Sequence, residues 1–182
     1  HGSFEFNKIK ADMVTFGKVI GGGMSAAAFG ARAEIMDCLS PEGSVYQAGT
    51  LSGNPVAMAA GIASISKIYK DEKLYDRLGA LAKMLVEGFK EAANENGVDL
   101  QVCTRGSMFG FFFAKDEVKN YDDALKSDTK MYAKFHRAML NRGVYLAPSQ
   151  FETGFICSVM NEDEIKFAIN MAKEAFKEIK NG

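Results

Sequence analysis

Three consecutive glycines, at positions 21 to 23, interrupt an otherwise apolar stretch near the start of the chain. Glycine weakens regular structure, so residues 13–31 are predicted to form two short apolar strands separated by the glycine run. Lys18 is the single charged residue of that stretch. Apolar flanks remove water from an amine and favour its neutral form, which attacks an aldehyde to give a Schiff base. The alternative is a solvated surface lysine, which is the commoner case.

Residues 32–96 are predicted to form three helices, which differ in the size and polarity of their side chains. Residues 32–39 are expected to form a short helix that ends at Ser40-Pro41, and residues 44–53 a polar loop. A helix from Asn54 to about Tyr69 carries Pro55 in its first turn, where proline is favourable. Its alanines and Gly61 make this helix thin, which suits close packing inside a large α/β domain or at a subunit interface. Residues 74–96 are predicted to form a long amphipathic helix that links two regions.

From residue 100 the pattern predicts an α+β layer. Residues 100–103 and 108–113 are expected to be strands, and residues 122–142 a helix with Phe135 on its apolar stripe. Two further short strands are predicted near residues 144–146 and 154–159. The final helix is predicted for residues 162–180, with Asn161 as its N-cap and Glu164 completing a capping box.

The composition bears on which partners, metals and compartment are expected for this chain. The chain has 182 residues, is 47% hydrophobic and carries a net charge of -1, which gives no electrostatic argument for binding nucleic acid or an anionic membrane. Cys38, Cys103 and Cys157 have neither the spacing of a zinc site nor an even number for a disulfide framework, so no metal and a reduced, cytoplasmic compartment are expected. No apolar run reaches the roughly 20 residues of a membrane span.

Four segments resemble one enzyme family. They are Phe-Gly-Lys-Val-Ile-Gly-Gly-Gly at 16–23, Tyr-Gln-Ala-Gly-Thr-Leu-Ser-Gly-Asn-Pro at 46–55, Gly-Ser-Met-Phe-Gly at 106–110 and Tyr-Leu-Ala-Pro-Ser-Gln-Phe-Glu at 145–152. The first two resemble class III aminotransferases, which are pyridoxal-phosphate enzymes of fold type I. The last two resemble the branch formed by the glutamate-1-semialdehyde 2,1-aminomutases. Ser25 and Ala27 stand where this family usually has proline and glycine.

The resemblance implies an α/β fold equivalent to the C-terminal portion of such an enzyme. Residues 1–72 would be the C-terminal part of the large cofactor-binding domain, 73–98 a linking helix, and 99–182 a small α+β C-terminal domain. It also implies a homodimer with shared active sites. From the charge and the apolar runs described above, we expect no nucleic-acid or membrane partner.

The resemblance further implies the site residues. Lys18 would form the Schiff base with pyridoxal 5'-phosphate and then carry protons between cofactor and substrate, the enzyme starting from the pyridoxamine 5'-phosphate form. Gly49 and Thr50 would hold the cofactor phosphate of the partner subunit, the alternative for Thr50 being a turn residue that satisfies its own backbone. Glu152 would face the substrate, or else be a solvated turn carboxylate. Arg105 would be a surface arginine at a strand end, or else hold the substrate carboxylate through a bidentate bond. For His136 we expect a structural role.

The implied activity is the isomerisation of glutamate 1-semialdehyde to 5-aminolevulinate in tetrapyrrole (porphyrin) biosynthesis. Enzymes of this fold also need an aspartate at the pyridine nitrogen, a stacking aromatic and a main phosphate loop, all N-terminal to the lysine. Only 17 residues precede Lys18 here, so this chain alone is expected to be inactive. Two alternatives stay open: an ω-aminotransferase of class III, and a non-catalytic dimerisation or regulatory fragment.

Overall fold

The computed structural model describes residues 7–181, and the chain forms two compact units, one ending at Glu72 and the other starting at Lys73. The assignment of residues 1–72, 73–98 and 99–182 to domains of a larger enzyme stays a prediction. The long helix that follows Lys73 lies within the second unit and supplies much of its core. Within residues 7–181, no helix combines the length and the apolar character that a bilayer crossing requires.

The first unit contains the two predicted strands. Strand β1 (Met13–Phe16) pairs antiparallel with β2 (Ala28–Ala31), so that Met13 is opposite Ala31. A 3-10 helix, Lys18–Gly21, lies between them and ends at Gly22, whose φ of 59° is the left-handed conformation that favours glycine. Helix α1 (Ala33–Met36) follows β2 and is shorter than predicted.

Helix α2 (Pro55–Lys70) is the scaffold of this unit. Asn54 caps it, since its side-chain oxygen accepts hydrogen bonds from the amides of Val56 and Ala57 at 3.1 and 3.2 Å. The 3-10 helix packs directly on α2. A Cβ atom placed on Gly61 would lie 2.6 Å from the carbonyl oxygen of Ile20, so the small residues of α2 allow this close backbone approach.

The second unit places three helices against one sheet. Helix α3 (Leu74–Glu95) packs on α6 (Glu162–Asn181) and on the sheet. In that sheet the central strand β4 (Met108–Phe112) lies between β3 (Gln101–Arg105) and β5 (Gly154–Phe155). Two helices, α4 (Tyr121–Ala124) and α5 (Thr129–Asn141), follow the β3–β4 hairpin, and α5 also packs on α6. The predicted capping box is confirmed, because the Asn161 amide donates to Glu164 at 2.8 Å and Asn161 accepts from the Asp163 amide at 2.7 Å.

Aromatic side chains form the centre of the second unit. Phe89, Phe135 and Phe176 are fully buried, one from each of α3, α5 and α6. The rings of Phe135 and Phe176 stack with centroids 4.5 Å apart, and Phe89 meets Phe135 edge to face at 5.9 Å. The apolar stripe predicted for residues 122–142 therefore serves this core.

Two predictions for this unit are wrong. Residues 122–142 are not one helix, because Asp128 caps a new helix by accepting from the amides of Lys130 and Met131, both at 2.9 Å. Residues 144–146 are not a strand. The adjacent carbonyl groups of Leu146 and Ala147 bond instead to side chains of α5: His136 Nε2 lies 3.1 Å from the Leu146 oxygen, and the Tyr132 hydroxyl donates to Ala147. The strand predicted for 154–159 is also shorter, at Gly154–Phe155.

Candidate functional site

Lys18 occupies a strained position on the first unit. It is the first residue of the 3-10 helix, and its φ of 49° places a non-glycine residue in the left-handed region. Such conformations cost energy and persist where the surrounding structure holds them. The side chain is exposed, so the loss of hydration expected from the apolar flanks is not seen here. The physical reason is that Phe16 and Val19 are themselves exposed on this chain.

The backbone around Lys18 is held by α2. The hydroxyl group of Ser64 donates to the Val19 carbonyl oxygen at 3.1 Å, and the amide of Gly22 donates to the same oxygen at 3.0 Å. A Cβ atom on Gly22 would lie 2.5 Å from the carbonyl oxygen of Ala60. Contacts just before and within the glycine run therefore fix the segment that presents the amine.

Gly49 and Thr50 lie in the exposed loop that leads into α2. The loop turns at this point, since the amide of Ser52 donates to the Gly49 carbonyl at 2.9 Å and the amide of Asn54 donates to Leu51 at 3.1 Å. From Asn54 to Gly61 the helix rises about 10 Å. Helix α2 thus carries the loop at its N-terminus and the Lys18 segment two turns further along. The phosphate-binding role stays a prediction.

Glu152 belongs to the second unit and lies in an exposed turn before β5. Its amide donates to the Ser149 carbonyl at 3.1 Å. The residue lines two adjoining clefts, of about 480 and 260 Å³, whose walls are mainly apolar and aromatic. Arg105 contributes to the smaller cleft, at the end of β3. An acidic group on the wall of an apolar cleft is suited to pairing with a ligand amine.

The negative charge of Glu152 affects the pKa of a tyrosine inside the second unit. Burial, and to a smaller extent the negative charge of Glu152, raise the pKa of Tyr132 to about 12. The Tyr132 ring is stacked with that of His136 at a centroid distance of 6.4 Å. Together with the contact to Leu146, this gives His136 the structural surroundings that were expected.

Sequence reasoning missed two polar side chains near Glu152. Ser127 and Gln150 are the buried polar residues of the described chain, and Gln150 Nε2 donates to Ser127 Oγ at 2.7 Å. Gln150 lies inside the segment 145–152 that pointed to the enzyme family. Its partner is 23 residues away and carries no sequence signal of its own.

The fold is that of the pyridoxal-phosphate-dependent transaminases, and comparison with known proteins identifies the family. The chain belongs to the class III aminotransferase family, whose model matches residues 3–174. It is 60% identical to the glutamate-1-semialdehyde 2,1-aminomutases of Campylobacter fetus and Campylobacter hominis, over 97% and 98% of its own length. The chain spans 42% and 40% of those two relatives.

Solved structures show the same fold. An omega-transaminase from Sphaerobacter thermophilus superposes with a TM-score of 0.84 at 26% identity, covering 100% of this chain and 41% of its own. A transaminase with pyridoxal phosphate bound gives a TM-score of 0.81 at 25% identity, covering 99% and 41%. The predicted fold class, a portion of a fold-type-I aminotransferase, is confirmed.

Proposed function

We propose that this chain is the C-terminal portion of a glutamate-1-semialdehyde 2,1-aminomutase, an isomerase that converts glutamate 1-semialdehyde to 5-aminolevulinate for tetrapyrrole (porphyrin) synthesis. The observation that carries this proposal is the 60% identity to enzymes of that name over nearly the whole chain. The proposal includes a cytoplasmic homodimer with shared active sites. The activity is proposed for the complete protein, since this chain spans 42% and 40% of the two relatives.

The residues of the first unit fit pyridoxal phosphate. Lys18 offers an exposed primary amine on a strained, well-held turn, which suits the aldehyde of the cofactor. The loop at Gly49 and Thr50 offers a backbone amide and a hydroxyl group, which suit a phosphate. A transaminase of the same fold has pyridoxal phosphate bound, which supports this choice of cofactor. When bound, the cofactor withdraws electrons from the carbon that carries the amino group.

The side chains of this chain then have separate tasks. The amine of Lys18 acts in turn as a general base and a general acid, carrying a proton between the substrate carbon and the cofactor carbon. Thr50 and Gly49 hold the phosphate of the cofactor in the partner subunit's site and so fix the orientation of that ring. Glu152 pairs with the amino group of the substrate. Its negative charge also disfavours the second carboxylate of ordinary amino donors, which supports isomerisation over transfer between two molecules.

The test of this function is Lys18→Ala in the complete protein. Borohydride reduction with pyridoxal phosphate should attach the cofactor irreversibly to the peptide that contains Lys18, and the variant should lose both this adduct and the formation of 5-aminolevulinate. Lys67→Ala, an exposed lysine of α2, is the matched control and should change neither. A reduced adduct on another lysine of the wild-type protein would overturn the assignment.

A class III ω-aminotransferase is the second candidate, favoured by the superposition on the Sphaerobacter enzyme. The two activities differ in their need for a second substrate. An aminomutase forms 5-aminolevulinate from glutamate 1-semialdehyde alone, whereas an aminotransferase requires a separate amino donor and acceptor. If the complete protein binds no cofactor, a non-catalytic dimerisation or regulatory role remains.

A further inference from the structure

Glu152 lies in a loop whose internal hydrogen bonds form a turn. We use the term Glu152 loop for residues 147–153. The amides of Phe151 and Glu152 donate to the side-chain and main-chain oxygens of Ser149, at 3.2 and 3.1 Å. These bonds lie within the loop, so they do not set its position on the second unit. That position depends on contacts with other elements.

Three such contacts hold the Glu152 loop. At its start the Tyr132 hydroxyl donates to Ala147, and near its end the ring of Phe151 lies 6.4 Å from that of Tyr121. Between them the side chain of Gln150 enters the unit and is only 5% exposed, whereas the side chain of Glu152 is exposed. Gln150 is therefore the buried attachment closest in sequence to the carboxylate.

The hydrogen bonds that link Gln150, Ser127 and Ala124 have only one possible assignment of donors and acceptors. The hydroxyl group of Ser127 donates its single proton to the carbonyl oxygen of Ala124, so it must accept from the amide nitrogen of Gln150. This fixes which way the Gln150 amide points. Ser127 lies between α4 and α5, so the loop is tied to the junction of two helices.

The orientation of this amide leaves its other end unsatisfied. Gln150 Oε1 is buried and has no hydrogen-bond partner among residues 7–181. A buried acceptor without a partner costs stability, and an apolar side chain of similar size would avoid that cost. Stability alone therefore does not explain a glutamine at this position. The gain must come from the placement that the single bond to Ser127 provides.

We propose that Gln150 is a positioning residue for Glu152, which it holds at the wall of the two clefts through its hydrogen bond to Ser127. Both residues line the two clefts, so a change in the buried side chain is transmitted directly to the cleft wall. The inference rests on the proposed function in one respect: it takes Glu152 as the group that pairs with the substrate amine.

The test uses Gln150→Leu and the milder Ser127→Ala in the complete holoenzyme. Each should raise KM for glutamate 1-semialdehyde, with kcat/KM lower by on the order of ten-fold, because a small misplacement of a substrate-binding group is costly. In a Glu152→Gln background neither change should have a further effect. Gln101→Leu is the matched control: Gln101 Nε2 bonds to the carbonyl of Lys115 at 2.9 Å, in the same unit, and its loss should leave KM unchanged.

Hydrogen exchange of residues 147–153 provides a readout that does not depend on catalysis. Exchange at the amides of Phe151 and Glu152 should accelerate in Gln150→Leu and Ser127→Ala, and not in Gln101→Leu. Unchanged exchange would overturn the attachment, and faster exchange with unchanged KM would overturn its role in substrate binding. An equal loss of kcat/KM in the Glu152→Gln background would show a merely structural effect. If wild-type protein does not isomerise the substrate, the proposed function fails, while the exchange experiment still decides the attachment.

Discussion

The strained conformation of Lys18 predicts that glycine is more stable than alanine at this position, which is the reverse of their usual order. At a φ of 49°, a residue with a Cβ atom is expected to cost about 1–2 kcal/mol. Glycine escapes this cost, but it loses roughly 0.5–1 kcal/mol more backbone entropy on folding than alanine. Lys18→Gly should therefore be more stable than Lys18→Ala by up to about 1.5 kcal/mol. Both variants lack the amine, so loss of the side chain cancels in the comparison.

Helix α2 supplies the control. Lys67 is exposed in the last turn of α2, where the backbone is still helical and alanine is favoured over glycine by up to about 1 kcal/mol. The sign of the difference between the glycine and alanine variants should thus reverse between positions 67 and 18. The four variants are compared by urea unfolding of the cofactor-free protein, so that cofactor binding does not contribute. If alanine is the more stable residue at both positions, Lys18 stores no strain and the argument for a held, functional turn fails.

Three further outcomes are expected. Thr50→Val should weaken the binding of pyridoxal phosphate by roughly 1.5–3 kcal/mol, the value of a hydrogen bond to a charged group. Cofactor titration compares this variant with Thr15→Val as the control, and equal affinities of the two variants would exclude the phosphate contact. Asn161→Ala should lower the free energy of unfolding by about 1 kcal/mol through loss of the α6 cap, and an unchanged urea midpoint would contradict this. Because the pKa of Tyr132 is raised to about 12 in the folded protein, the unfolded state ionises first above pH 10, so stability should fall from pH 10 towards 12. Tyr132→Phe should show a smaller fall in urea midpoints measured at pH 9 and 11, and an identical fall would assign it to other groups.

Local chemistry was sufficient to predict most helices, whereas the candidate site residues of the first unit were chosen from the resemblance of short segments to a known family. The amphipathic period of residues 74–96 gives α3, and the capping box at Asn161 begins α6 where expected. Lys18 and Thr50 could be selected because the residues that define their segments are neighbours in the chain. Their chemical roles remain predictions, since the structure shows where these residues lie and not what they bind.

Long-range contacts decided what the sequence could not. The extended segment near Leu146 matches a strand in pattern, but side chains of α5 bond to its carbonyl groups, and the sheet ends at β5. The break between α4 and α5 depends on Asp128 as a cap, which interrupts a continuous helical pattern. The attachment of Gln150 to Ser127 joins residues 23 positions apart. Periodicity and propensity describe neighbours along the chain, whereas these features arise only when folding brings distant groups within hydrogen-bond distance.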